Sequence, residues 1–175
     1  MSAFTERMIR AAKLDAALYE EVEADRDALP QAMGVVLLSS ICAGIGNLSY
    51  GGIVGLVFGT IGALIGWYIW AVLTYLIGTK ILPTPATNAD VGQLLRTTGF
   101  SSTPGLIRVV GAVAVLRPIA FIVAGLWMLA AMIVAVRQAL DYESTARAVF
   151  VCLIGFAVQV IVLALFFSLL GTPPR

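Results

Sequence analysis

Long apolar stretches separated by short polar ones dominate the chain after a polar start. The apolar stretches cover about residues 29–46, 53–81, 104–116, 118–138 and 145–170. A run of about 17 to 25 apolar residues is long enough to cross the hydrocarbon core of a bilayer as a helix. Helices also bond the backbone groups of such a run internally. The pattern therefore predicts an all-α polytopic membrane helical bundle over residues 29–171, with five membrane segments of which the third is short.

The division between the third and fourth segments depends on two arginines. The apolar stretch over residues 104–136 contains Arg108 and the pair Arg117-Pro118. Charged side chains are costly within a membrane helix, and proline removes a backbone donor. We therefore expect the third segment to end before Arg117 and the fourth to begin at Pro118. Gly171 and the prolines after it are expected to end the last helix.

Residues 1–28 are predicted to form an N-terminal cytoplasmic amphipathic helix. Its apolar residues recur at spacings of three and four, with an interruption at Asp15; they are Phe4, Met8, Ala11, Leu18 and Val22. Anionic lipid would repel the acidic second half, so we favour packing on the membrane domain over a position on the lipid surface. Asp27 is a candidate N-cap for the first membrane helix, with Pro30 in its first turn.

Residues 82–104 are the one polar stretch inside the membrane domain and are predicted to be a cytoplasmic loop. Thr87-x-x-Asp90 resembles a capping box, and Gly99 is expected to end a short helix with Val91, Leu94 and Leu95 on one side.

The distribution of basic residues favours five segments with a cytoplasmic N-terminus. Arg117 and Arg175 would then lie outside, and Arg108 would extend its side chain toward the cytoplasmic surface. The other basic residues would all be cytoplasmic: Arg7, Arg10, Lys13, Arg26, Lys80, Arg96, Arg137 and Arg147. A four-segment arrangement would place Arg137 and Arg147 outside, against the positive-inside rule.

The second segment begins with an unusual density of glycine, "GGIVGLVFGTIGALIGW" over residues 51–67. Its glycines share one face of a helix: Gly51, Gly55, Gly59, Gly62 and Gly66. Small residues let helix backbones approach closely in lipid. We therefore expect helix packing within the chain along this face. The alternatives are a dimer interface, or a cleft facing the cytoplasm where Trp67 and Trp70 push the helices apart.

Composition removes several classes of function. The chain has 175 residues, of which 60% are hydrophobic and 12% charged, and it contains no histidine. Histidine-ligated metals and Ser-His-Asp hydrolysis are therefore excluded. There is no basic patch of the kind that nucleic acid requires. We expect no enzymatic activity and no cofactor.

Seven of the ten acidic residues lie in the first 27 positions. Glu20, Glu23 and Asp27 share one helical side, while Glu21 and Asp25 form another pair. We expect these charges to form an ion-pair surface with Arg96, Arg137 and Arg147; the alternatives are a solvated acidic face and a site for a partner protein or cation. Oxygen ligands suit Mg²⁺ or Ca²⁺, which makes Glu20, Glu23 and Asp27 candidate metal ligands.

Three stretches resemble the Yip-domain family of Ypt- and Rab-interacting polytopic membrane proteins. They are "LDAALYEEVEADRDALPQA", "VGQLLRTTGFSSTPGLIRVVG" and "GLWMLAAMIVAVRQALDYESTARAVFVCLIGFAVQV". The resemblance implies a five-helix bundle with a cytoplasmic N-terminus. Its acidic entry "YEEVEAD" is similar to the prokaryotic branch, and the long cytosolic region that eukaryotic members usually carry is not seen in this sequence.

The leading functional hypothesis is a non-enzymatic integral membrane protein that organises or recruits partners in the bilayer. Its partners would be lipid, other membrane proteins or a second copy of itself, and the prokaryotic resemblance implies the inner membrane. The rival hypothesis is a small permease or channel subunit, for which Gln159, in the middle of the last segment, is the most suggestive polar residue. An interhelical hydrogen bond is the alternative role for Gln159.

Overall fold

The computed structural model describes residues 2–170, except for the side chains of residues 162, 163 and 165–170. This part of the chain is helical and has no strand, which confirms the all-α prediction. The α-helices are α1 (Ala3–Ala12), α2 (Ala16–Ala24), α3 (Leu29–Gly46), α4 (Leu48–Leu76), α5 (Val91–Phe100), α6 (Arg117–Ala139) and α7 (Thr145–Leu170). The predicted end of the bundle at 171, and Arg175, lie outside the described residues.

Three helical stretches are long and apolar enough to cross a membrane: Arg26–Gly46, Leu48–Ile81 and Arg117–Ala139. Within α7, residues Thr145–Ile161 form a further, shorter apolar helix. The three long stretches agree with the predicted first, second and fourth segments to within about five residues, and α7 (Thr145–Leu170) has the predicted bounds of the last segment. The count of five membrane crossings remains a prediction.

The N-terminal region is two helices rather than one. Leu14 has a φ of 61°, and Asp15 caps α2 by accepting a hydrogen bond from the Ala17 amide at 3.0 Å. The predicted single helix is therefore wrong at the point where its apolar pattern was interrupted. Asp27 is not the N-cap of α3. It lies in the 3₁₀ helix Arg26–Ala28, which Asp25 caps, and α3 begins without a side-chain cap.

α1 and α2 form a helical hairpin whose apolar side packs on the bundle. The five apolar residues that the sequence pattern placed on one side of the N-terminal region lie in one apolar cluster: Phe4, Met8, Ala11, Leu18 and Val22. The cluster also contains buried side chains of α3, α5 and α6, namely Ala32, Val35, Phe100 and Ala135. The Trp127 indole of α6 donates to the Ala12 carbonyl at 2.7 Å, which fixes the end of α1. We call the side of the bundle where α3 begins the hairpin end.

Half of the predicted polar loop is a buried helix. Asp90 caps the N-terminus of α5. Its side chain accepts a hydrogen bond from the backbone N–H of Gln93 at 2.8 Å, and the Gln93 side chain accepts one from the backbone N–H of Asp90 at 2.6 Å. This capping box replaces the predicted one at Thr87. Leu94 and Phe100 of α5 are fully buried, so the polar loop ends where α5 begins.

The predicted short third segment is a 3₁₀ helix, Thr103–Ala112, that continues α5. Both lie against α3 and run in the same direction: Gly99 meets Ala32, Gly105 meets Ser39, and Gly111 meets Gly46. Ten α-helical and ten 3₁₀-helical residues span about 15 Å and about 20 Å. Their sum is close to the hydrocarbon thickness of a bilayer, about 30 Å.

α4 lies largely apart from the rest of the bundle. It is kinked at Gly52, which has a φ of 57°, and continues as a π-helix, Ile77–Ile81. Only Ala71 and Thr74 of α4 are buried. The helix is held near one end by Leu56, which packs where a Cβ of Gly44 would lie. Near the other end it is held by its two tryptophans, described below.

The close contact of Gly99 with Ala32 can be tested by comparing an alanine substitution at Gly99 with one at Gly62, which has no close neighbour among the described residues. A Cβ at Gly99 would lie 2.7 Å from the Ala32 Cβ, whereas one at Gly62 meets nothing within 4 Å. We expect Gly99→Ala to lower the free energy of unfolding by about 1–3 kcal/mol through overpacking. Gly62→Ala should leave it unchanged or raise it by about 0.5–1 kcal/mol, because alanine is the better helix former. Thermal unfolding in detergent measures both, and equal stability of the two variants would contradict the close approach.

Candidate functional site

A cavity of about 510 Å³ lies between α4 and the rest of the bundle. Its α4 wall is the glycine face, and its opposite wall comes from α3, α5, the partly buried 3₁₀ helix Thr103–Ala112, α6 and α7. Gly51, Gly55 and Gly59 line it and are exposed. The cavity is therefore open along the first half of α4.

The glycine face is not a packing face within the described chain. A Cβ added at Gly51, Gly55, Gly59, Gly62 or Gly66 meets nothing within 4 Å among the described residues. The predicted intramolecular packing is thus wrong along this stripe, since no helix of the described part reaches it. Packing against another chain remains a prediction.

The two tryptophans hold α4 close to the bundle rather than pushing it away. The Trp67 indole donates to the Leu95 carbonyl of α5 at 3.2 Å, and the Trp70 indole lies 3.2 Å from the Met132 sulfur of α6. Both tryptophans line the cavity at its hairpin end. The expected arrangement is therefore reversed: the bundle is tight at the tryptophans and open at the glycines.

Arg108, on the 3₁₀ helix Thr103–Ala112, brings a positive charge to the cavity wall. Its Nε donates to the Gly105 carbonyl at 3.0 Å, and its Nη2 donates to the Ser39 Oγ at 2.7 Å. Ser39 is seven residues before the end of α3, about 10 Å along the helix. The Arg108 backbone lies beside Gly46, at the end of α3, so its side chain extends along α3 toward the hairpin end, in the expected direction. That this end is cytoplasmic remains a prediction.

The remaining polar lining lies on the same side as Arg108. It consists of Ser39, Ser40, Asn47, Thr98, Ser102 and Gln159. Gln159, the predicted intramembrane polar residue, thus faces the cavity, and among the described residues its side chain makes no hydrogen bond. The wall opposite α4 thus carries these polar groups and a single cation among apolar side chains, and the α4 wall contains the glycines.

Three acidic residues of the hairpin region, Asp15, Glu21 and Asp25, form ion pairs with arginines of α1. Arg7 bonds Glu21 at 2.9 Å and Asp25 at 2.8 Å, while Arg10 bonds Glu21 at 2.6 Å and Asp15 at 2.7 Å. The hydrogen bond from Arg10, followed by the one from Arg7, lowers the pKa of Glu21. The hydrogen bond from Arg7 lowers the pKa of Asp25. The ion pairs stabilise the fold of the hairpin.

The predicted partners of the acidic residues instead bond backbone carbonyls. Arg96 donates to Val22 at 2.9 Å and to Glu23, at the C-terminal end of α2, where a cation suits the helix dipole. Arg137 donates to the Tyr142 and Glu143 carbonyls, each at 3.1 Å. Arg147 approaches only the Pro83 carbonyl, at 3.5 Å. None of the three forms an ion pair within the described residues, so the predicted pairing is wrong.

Glu23 is the one buried carboxyl of this region. It is 8% exposed; its Oε1 accepts from Gln93 at 3.0 Å, and its Oε2 has no partner among the described groups. Burial, with repulsion from Asp141 and Glu20, raises the pKa of Glu23 to about 7. Glu23 therefore titrates near neutral pH at the junction of α2 with α5.

The three candidate metal ligands are not gathered into a site. Glu20 accepts from the Gln138 side chain at 2.6 Å, while Asp27 lies exposed on the 3₁₀ helix before α3. Within residues 2–170, no group of three or more Cys, Asp or Glu residues is placed to hold a metal ion.

The family model of the Yip1 domain matches residues 17–167. This range contains all of α2 except Ala16, the complete lining of the cavity and most of α7. The chain belongs to the Yip1 domain family. No curated protein and no solved structure matches it. Membership in the Yip1 family, with the apolar helices, makes the chain an integral membrane protein in contact with the lipid bilayer.

Two features of the chain were missed from the sequence. The first is the pairing of Arg7 and Arg10 with the acidic residues, which the interruption at Asp15 could have revealed because a turn there folds the two halves together. The second is the position of Arg108 at a cavity. Its location in an apolar stretch indicated a costly charge but not the cavity beside it.

The burial of Glu23 predicts a pH-dependent stability. The pKa in the folded chain, about 7, is above that of an unfolded glutamate, about 4.3. The folded state therefore favours the protonated form, and the stability present below pH 4 is lost as the pH rises through 7. We expect Glu23→Gln to be more stable than the wild type at pH 8 by about 1–3 kcal/mol, the cost of a buried unpaired group. The difference should vanish near pH 4.

Thermal unfolding in detergent at pH 4, 6 and 8 measures this difference. Glu143→Gln, at an exposed position, is the matched control and should follow the wild type at each pH. A Glu23→Gln variant that is less stable than the wild type at pH 8 would show that the Glu23 charge stabilises the fold, contrary to the expectation.

Proposed function

We propose that this Yip1-family protein is non-enzymatic and recruits a component of the bilayer into the glycine-lined cavity. The observation that supports this function is the position of the opening. The cavity is bounded by exposed glycines of α4, a helix long and apolar enough to cross the membrane. A molecule can therefore enter from the lipid without passing through water.

The chemistry of the lining supports binding rather than catalysis. Of the described residues that line the cavity, Arg108 is the only ionisable one. Activation of a hydroxyl nucleophile requires an adjacent general base. The hydroxyl of Ser39 instead accepts a hydrogen bond from Arg108, and the chain has no histidine. The site lacks a nucleophile-base pair and is suited to holding a molecule.

The proposed arrangement in the membrane has five crossings and a cytoplasmic N-terminus. α5 and the 3₁₀ helix after it form the third crossing, and the basic residues near the hairpin end support the orientation. In a prokaryotic cell the membrane would be the inner one. The cavity then opens in the half of the bilayer away from the cytoplasm. A second copy of the chain remains a candidate occupant of the exposed glycine face.

A small permease or channel subunit is the second candidate function. The observation that favours it is Gln159, which brings an uncharged polar group into the cavity. A permeation path would also have to pass Trp67 and Trp70, which are bonded to α5 and α6 at the hairpin end. Liposome flux that Gln159→Leu abolishes would favour this function over recruitment.

Site-specific photo-crosslinking in native membranes tests recruitment. A diazirine-bearing residue is placed at Ala63, which lines the cavity, and at Ile65, which is 56% exposed and lies outside the lining. We expect a discrete adduct from position 63, several-fold more abundant than any discrete adduct from position 65. Position 65, on the same helix, measures the general lipid labelling. Identical diffuse labelling at the two positions would contradict recruitment.

A further inference from the structure

Arg108 is a cation inside a membrane protein whose described residues offer it no anion. The ion pairs of the described chain involve only Arg7 and Arg10. All ten acidic residues lie outside the predicted membrane segments. The guanidinium uses Nε and Nη2 for neutral oxygens of Gly105 and Ser39, and none of its hydrogen bonds to the described residues uses Nη1.

A buried charge is costly unless an opposite charge or several hydrogen bonds offset the loss of water. Guanidinium groups match the oxygens of a phosphate in bidentate geometry. An anion with phosphate oxygens is therefore the ligand whose charge and shape complement this side of the cavity.

We infer that the cavity binds the headgroup of an anionic phospholipid, with its phosphate on Arg108. This inference rests on the proposed recruitment function and names the recruited component. The polar lining runs from Asn47, at the end of α3, to Ser39 and Arg108. This wall provides hydrogen-bonding groups along the path of a headgroup that moves inward from that end of the bundle.

The opposite wall fits the rest of the lipid. The acyl chains lie along the exposed glycine face of α4, where no described side chain occupies the space, and remain in contact with the bilayer. A volume of about 510 Å³ is within the range of about 300–1,000 Å³ usual for small-molecule sites. It accommodates a headgroup and the first part of the chains rather than a whole lipid.

Lipid retention measures this binding. The protein is reconstituted into nanodiscs of phosphatidylcholine with phosphatidylglycerol, extracted in mild detergent and analysed by native mass spectrometry. We expect the wild type to retain about one phosphatidylglycerol per chain in preference to phosphatidylcholine. Arg108→Gln should reduce this retention about tenfold or more, since a hydrogen bond to a charged group contributes about 1.5–3 kcal/mol. Arg147→Gln, which removes a charge outside the cavity, should retain the lipid.

A second variant separates binding from folding. Arg108→Gln removes the bonds to Ser39 and Gly105, so it is compared with Gly59→Leu, which fills the cavity from a position where a Cβ meets nothing. Gly59→Leu should lose the lipid with an unchanged thermal unfolding midpoint. Retention of phosphatidylglycerol by a folded Gly59→Leu, or by a folded Arg108→Gln, overturns the inference.

Free phosphate and a partner helix are the competing occupants. If inorganic phosphate displaces the lipid and raises the unfolding midpoint to the same extent as phosphatidylglycerol, the ligand is a soluble anion and the inference is wrong. If the crosslink from Ala63 has the mass of a protein, recruitment stands while the lipid inference fails. If position 63 gives no discrete adduct, both fail.

Discussion

The rest of the bundle is arranged around a direct approach of two backbones. The 3₁₀ helix Thr103–Ala112 and the end of α5 lie on α3. Gly99 and Gly111 lie against the backbone of Ala32 and Gly46, and Gly105 lies against the Ser39 side chain. In hydrocarbon, apolar surfaces gain little by association, so small residues at the contact are what allow dispersion forces to hold two helices together. A six-residue spacing is two turns of a 3₁₀ helix, and the facing positions of α3 are seven residues apart, close to two α-helical turns. The 3₁₀ geometry thus keeps the glycines of that helix on one face and in step with α3.

This contact also explains why α4 surrounds a cavity. Because the α5–3₁₀ segment occupies one side of α3, α4 cannot lie along the same side and is held near its two ends instead. Gly44 and Leu56 join it to α3 beside the turn at Asn47, and Trp67 and Trp70 join it to α5 and α6. The glycines between these attachments have no neighbour among the described residues. A bundle of few helices can in this way contain a site of ligand size without a separate domain.

The sequence predicted those parts of the fold that depend on the solvent around a segment. Apolar length located the four long helices, and the conflict between Arg117-Pro118 and a continuous helix located the start of α6. The sequence did not predict how segments pair, because pairing depends on groups far apart in the chain. The stripe at Gly51–Gly66 showed where close packing is sterically allowed, but the packing itself occurs at Gly99, Gly105 and Gly111, whose spacing of six matches no α-helical face. Similarly, the charge of Arg108 was visible in the sequence, whereas its neighbour Ser39 was not.

The unequal lengths of α3 and α4 connect this arrangement to the thickness of the surrounding membrane. α3 has 18 residues and α4 has 29, so their lengths are about 27 Å and about 44 Å. A helix longer than the hydrocarbon core accommodates the difference by tilting or kinking, and α4 contains a kink at Gly52. Hydrophobic mismatch therefore acts on the helix that forms the outer wall of the cavity. The same chain would then have a differently shaped cavity in thin and in thick bilayers, without any change in its contacts to the rest of the bundle.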